Sequence, residues 1–237
     1  MIRGGTICNS KASYANNTTN RTAETNHVRL RRTDIRQAAA VLAQGFMDDP
    51  LYEHMLPERT TRLEVLTIFF RNYITMLYEE ADLYATSERL EAVALVFRSE
   101  RAGVSQLSHV RYLYRIAIAI IKSIPMCRYI RFSQFIRGLS TLNAMSSAWL
   151  SELNEHDYIH LDMLVVQPQY RGQGFVSLLM RPLLTECNAR GIPCTLETHN
   201  PSNISLYGHY GFEVVDTIPM PGNSASQQYC MVYRPDK

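Results

Sequence analysis

The chain lacks the sequence patterns that would hold a fold together by means other than its core. Its five cysteines, Cys8, Cys127, Cys187, Cys194 and Cys230, form no C-x-x-C pair and no Cys/His cluster at ligand spacing. A disulfide framework and a structural metal are therefore not expected, and a reducing cytoplasm suits the chain best. The start Met1-Ile2-Arg3-Gly4-Gly5 carries no hydrophobic signal core, which argues against secretion. The longest apolar run, Ile116 to Ile121, falls far short of the roughly 20 residues of a transmembrane helix, so it reads as a buried helix segment. A net charge of +2 without a basic stripe interleaved with aromatics gives no footprint for nucleic acid. There is no internal repeat, and no G-x-x-x-x-G-K-[ST] phosphate loop.

What is present is a globular composition, 46% hydrophobic and 19% charged over 237 residues, enough for one domain with a sizeable core. Residues 1–25 stand apart, polar around Asn16-Asn17-Thr18-Thr19-Asn20, and read as a flexible tail before a domain spanning 26–237. His27 to Arg32 alternates like a strand. Thr33 or Asp34 can cap a helix through Ala43, with Ile35, Ala38, Ala39 and Leu42 on one face. A short helix ending near Pro57 and a long one from Thr61 to Glu80 follow. Leu83 to Ser87 and Glu91 to Arg98 then read as a hairpin. Residues 104–142 form a helical insertion, aromatic and basic by turns, which Pro125 divides in two. It fits a helix pair packed on the sheet, an acceptor-side lid, or a dimer or membrane-surface face; a homodimer is thus a candidate assembly.

The chain is organised around Tyr158 to Leu184. A strand from Tyr158 closes at Val165-Val166, Gln167-Pro168-Gln169 breaks it, and Arg171-Gly172-Gln173-Gly174 opens a helix from Phe175 to Ala189 that Gly191 ends. With the strand Cys194 to Glu197 this makes a βαβ unit, whose ligand is expected at the carboxyl ends of its strands. Glycines at such a turn permit positive φ and close backbone approach, and the first helical amides point outward. Together they suit a phosphate group, although a bare G-x-G also fits an ordinary turn. The third glycine of a dinucleotide fingerprint is missing.

Downstream context adds a second motif. The order V-x-P-x-Y-R-G-Q-G, then L-E-T at Leu196 to Thr198, then N-x-x-N-x-x-L-Y-x-x-x-G-F from Asn200 to Phe212 resembles the GNAT superfamily of acyl-CoA-dependent N-acetyltransferases. Leu196 to Met231 is most similar to the puromycin N-acetyltransferase group. The likeness covers 158–234, and 28–98 more loosely. It implies an α/β fold with a mixed central sheet flanked by helices, the helical insertion lying between strands. It also implies acetyl-CoA as co-substrate and acetylation of a primary amine of a small, antibiotic-like molecule by direct attack on the thioester. Protein or peptide N-acetylation and a non-catalytic acyl-CoA-binding module are the rival readings.

The resemblance assigns residues as well. Arg171, Gly172, Gln173, Gly174, Phe175 and Val176 would hold the pyrophosphate, and the strand end Leu164, Val165 and Val166 would lend a backbone N–H to the thioester carbonyl. Asn203 and Tyr207 would contact the cofactor, with Tyr207 also protonating the leaving thiolate. As capping or packing residues, both also have ordinary explanations. The proton acceptor is Glu197 first, His160 next and Asp162 third, with His199 a fourth candidate. Asp48, Asp49, Glu53 and His54 are candidates for holding a cationic amine, beside Phe46, Met47, Leu51, Tyr52 and Met55, which also fit a plain core. Where the family pattern ends in glycine or alanine this chain has Val176, whose branch would crowd a ligand. The frame from Gln169 to Gly174 also fits the pattern, but position after the strand favours the one from Arg171.

Overall fold

A computed structural model describes residues 27–101, 106–144, 147–153, 155 and 157–235. The expected polar tail lies outside them. Seven strands form one sheet in the order β1-β2-β3-β4-β5-β7-β6. These are β1 (Val28–Arg29), β2 (Ala81–Ala85), β3 (Ala92–Arg98), β4 (Ile159–Val166), β5 (Cys194–Thr198), β6 (Glu213–Met220) and β7 (Asn223–Tyr233). Among the described residues only β4 and β5 run parallel, joined by a crossover helix. The helices are α1 (Ile35–Gly45), α2 (Pro50–Met55), α3 (Arg59–Leu77), α4 (Gln106–Ser123), α5 (Phe132–Ala144), α6 (Phe175–Arg190) and α7 (Ser202–Gly208); the crossover is α6. The mixed α/β sheet is as expected.

Two apolar clusters sit on opposite faces of the sheet. Ala38, Leu42, Leu66, Phe70, Ile74 and Leu83 belong to one, under α1 and α3. Leu161, Leu179, Met180, Leu183, Cys187 and Leu196 belong to the other, under α6. The buried residues of α6 recur at helical spacing, and Gly191 ends the helix at φ 64° as expected. A β-bulge interrupts this division at β4. Leu95 pairs with Met163 and Val96 with Leu161, which leaves Asp162 as the extra residue. Ile159 and Leu161 therefore face α6, whereas Met163 and Val165 face α1 and α3.

Some element boundaries differ from the expectation. The first strand is only Val28–Arg29, because a 3-10 turn takes over at Arg32–Asp34. Asp34 does not cap α1 with its side chain; it accepts from the Arg31 amide at 2.8 Å instead. The last hairpin is long and its turn is tight. Pro219 and Met220 belong to β6 and Asn223 to β7, leaving Pro221-Gly222 as the turn. A proline is tolerated there because β6 is an edge strand with one side unpaired.

The insertion is the expected pair of helices, α4 and α5, joined by a 3-10 segment at Ile124–Arg128 that contains Pro125. It is fastened to α3. Asn72 donates to Ser123 Oγ at 3.0 Å, and Arg115 pairs with Glu80.

Candidate active site

The parallel pairing of β4 with β5 covers only Ile159, His160 and Leu161 against Cys194, Thr195 and Leu196. Beyond that point the bulge at Asp162 turns β4 away. Because strand N–H groups alternate sides, part of the backbone at 163–166 has β3 on one side and an open gap on the other. Leu164 lines this gap. Val165 directs its side chain away, toward Gly45 at the end of α1.

Below the gap, the glycine turn has the form needed for an anion. Gly172 and Gly174 adopt φ 75° and 83°, a region that any Cβ would strain. The amides of Gly172, Gln173 and Gly174 donate no hydrogen bond among the described residues, and those of Phe175 and Val176 begin α6, where an intrahelical acceptor is missing by geometry. Val176 packs its branch against the cluster under α6, so its side chain is occupied inward. Arg171 spends its guanidinium on the backbone, lying 3.4 Å from both Val166 O and Gly45 O. The turn thus fits a pyrophosphate through its amides.

The gap opens into a cavity of about 840 Å³. Its walls are Phe46, Tyr52, Phe69 and Tyr73 from the α1–α3 side, Tyr112, Ile116 and Ile120 from α4, and Phe135 and Leu139 from α5. Four carboxylates reach it, Asp49, Glu80, Asp162 and Glu197, and no lysine or arginine does. Phe46 is both wall and core, its ring 5.3 Å from Phe70 and 5.4 Å from Tyr52.

Of the four residues expected to hold an amine, only Asp49 lines the cavity. Asp48 pairs with Arg59, Glu53 with Arg62, and His54 bonds Pro221 O. Asp49 itself caps α2 by accepting from Leu51 N at 3.0 Å, and burial raises its pKa to about 6.

The structure brings the other candidates together. His160 and Asp162 from β4 share the cavity face with Glu197 from β5. His160 Nε2 lies 3.1 Å from Glu197 Oε2, and its Nδ1 lies 2.9 Å from Thr195 Oγ1. Trp149 Nε1 donates to Glu197 Oε1 at 2.5 Å. Burial opposes a charged His160, but the Glu197 carboxylate outweighs it and the pKa moves up; burial opposes a charged Glu197, but His160 and Trp149 outweigh it and that pKa moves down. Asp162 is the odd member. Tyr73 donates to its Oδ1 at 3.0 Å, its Oδ2 is buried with no partner among the described residues, and burial raises its pKa to about 6.

Tyr207, on α7, points its ring into the same cavity, edge-on to Phe212 at 5.9 Å. Its hydroxyl has no hydrogen-bond partner among the described residues, and burial pushes its pKa up. Asn203 lines the cavity and donates to Thr198 Oγ1 at 3.0 Å, while Asn200 is the residue that receives the Ser202 amide. His199 bonds Gln228 at 3.2 Å, and burial lowers its pKa.

Trp149 and Tyr73 escape sequence reasoning. Their partners are 48 and 89 residues away, and the only available signal is that a buried indole N–H or phenol needs an acceptor.

This geometry carries a family signature. A family model for the acetyltransferase (GNAT) family matches residues 139–212, the span holding β4, the glycine turn, α6, β5 and Tyr207. Over that span the chain is similar to the GNAT acetyltransferases. It is an acetyl-CoA-dependent N-acetyltransferase, and the turn amides and the splayed strands fit that co-substrate. An uncharacterised N-acetyltransferase of Schizosaccharomyces pombe is 24% identical over 196 residues, covering 80% of this chain and 75% of that protein. In fold this chain is similar to a histone acetyltransferase HPA2-related acetyltransferase of Corynebacterium glutamicum, with TM-score 0.57, 15% identity and coverage of 89% of this chain and 96% of that one. Arylalkylamine N-acetyltransferase 2 of Aedes aegypti aligns at TM-score 0.50 and 12% identity over 89% of this chain and 98% of that one.

Proposed function

We propose that this GNAT acetyltransferase acetylates the primary amine of a small molecule with an apolar or aromatic body. One observation carries the reading: the acceptor-side cavity is walled by aromatic rings, receives four carboxylates and no lysine or arginine, and is roofed by α4 and α5. Such a space attracts an ammonium group and buries a hydrophobic body. A peptide chain needs an open groove and backbone partners instead. The likeness of Leu196 to Met231 to the puromycin N-acetyltransferase group favours the same acceptor class.

The geometry supports a role for each group. Backbone amides from Gly172 to Val176 bind the pyrophosphate of acetyl-CoA, with Gly174 providing the turn and Arg171 holding the loop to β4 and α1. Bound acetyl-CoA supplies the activated acyl thioester. An amide of the Leu164–Val166 segment, free of β5, donates to the acyl carbonyl. Asp162 Oδ2, the cavity oxygen without a partner, receives the acceptor ammonium. The His160–Glu197 pair beside it takes the proton, its charges held in place by Trp149 and Thr195. Tyr207, kept protonated by burial and with its hydroxyl unclaimed, gives a proton to the departing sulfur.

A screen of purified protein with acetyl-CoA against arylalkylamines, polyamines and peptides, read by mass of the product, tests the reading. Acetylation of arylalkylamines alone supports it. Acetylation confined to peptides replaces it with the peptide reading, and acetyl-CoA binding without turnover of any amine replaces it with a binding module.

A further inference from the structure

The roof of the cavity has a second apolar face, turned outward. On α4 and the segment that follows it, Val110, Leu113, Tyr114, Ile121 and Ile124 recur at helical spacing and are between 50% and 65% exposed. Phe132 on α5 is 63% exposed. The inner side of α4 already lines the cavity, so the helix carries a second apolar stripe on its outer side, with Arg111, Arg115 and Lys122 beside it. Single exposed leucines need no account, but a row of large apolar side chains does.

Charge selects what covers it. Between Glu100 and Glu152 there is no acidic residue: seven of the chain's 24 lysines and arginines fall there and none of its 22 acids, which leaves the remainder net acidic. Arg101, Arg111 and Arg115 are paired with Asp82, Glu79 and Glu80. Lys122, Arg128, Arg131 and Arg137 make no ion pair among the described residues. A second copy meeting this face would set like charges against each other.

We infer that the outer face of 106–144 rests on an anionic lipid surface, its apolar stripe entering the headgroup boundary and its unpaired cations lying against the headgroup charge. No described helix is long and apolar enough to cross a membrane, so the contact is peripheral. The surface stands apart from the acceptor assignment, and the catalytic groups do not take part in it.

Flotation with vesicles of phosphatidylcholine and phosphatidylserine at about seven to three, against phosphatidylcholine alone, tests it. The protein is expected to float with the anionic vesicles only. Arg128→Ala combined with Arg131→Ala should weaken binding about 25-fold, from about fivefold per cation, and Ile121→Glu should abolish it, both at wild-type Tm. Absence of binding to either vesicle, or binding unchanged in both variants, overturns the inference. A dimer in solution that Ile121→Glu dissolves overturns it too, by showing a second copy as the occupant.

Discussion

His160 Nε2 lies 3.1 Å from Glu197 Oε2, across two parallel strands that have just begun to part. Each group shifts the other: the carboxylate holds the imidazole pKa above 6.5 against its burial, and the imidazole holds the carboxyl pKa below 4.5 against its own. If the pair takes the acceptor's proton, kcat/KM rises with pH as His160 loses its charge. Removing the carboxylate removes the upward push, so Glu197→Gln should move this acid limb to lower pH and lower kcat by about 10²-fold. A pH–rate profile of both proteins checks it; an unmoved limb contradicts the coupling.

Asp162 is expected to act on the acceptor. Its unpartnered Oδ2 and its pKa of about 6 leave it ionised at neutral pH, ready for a cation. Asp162→Asn should raise KM for the amine about 10- to 100-fold, the worth of a hydrogen bond to a charged group, with KM for acetyl-CoA little changed. Steady-state kinetics with each substrate varied in turn separates the two.

Tyr207→Phe removes a hydroxyl with no partner among the described residues and keeps the ring on Phe212. The expected result is a loss in kcat of about 10²-fold or more with wild-type Tm and acetyl-CoA affinity. A fall in Tm with intact kcat would mark Tyr207 as a packing residue.

Gly45 ends α1 directly on β4. A Cβ built there would stand 2.0 Å from Val165 Cγ1, so Gly45→Ala must push α1 off the strand. A cost of about 1–3 kcal/mol is expected, which lowers Tm by about 2–4 °C per kcal/mol in a chain of this size. Thermal melts of Gly45→Ala with and without Val165→Ala check the contact, because shortening Val165 should recover part of the loss.

The βαβ unit was legible because its signals are local. The proline break after Val166, two glycines at positive φ and the C-cap at Gly191 each follow from a residue's own backbone chemistry. The division of 106–144 at Pro125 was legible for the same reason. What escaped was set by contact at a distance. Nothing near Asp162 in sequence announces the bulge that turns it toward the cavity, since the bulge exists only in pairing with Leu95 and Val96. Asp48, Glu53 and His54 suited a cationic amine on composition, but neighbours from α3 and the β6–β7 turn claim them. Trp149 reaches Glu197 through the path of the chain, and no spacing encodes that.

In the proposed mechanism the turn from Arg171 to Val176 and the parted strands hold acetyl-CoA. Calorimetric titration of acetyl-CoA into the wild-type protein and into Gly174→Val, whose branched side chain cannot adopt φ 83° without strain, tests it most directly. Saturable one-to-one binding is expected, weakened at least about tenfold in the variant, since each lost charge-assisted amide contact is worth about 1.5–3 kcal/mol. No binding to the wild-type protein, or equal binding to both, would contradict it.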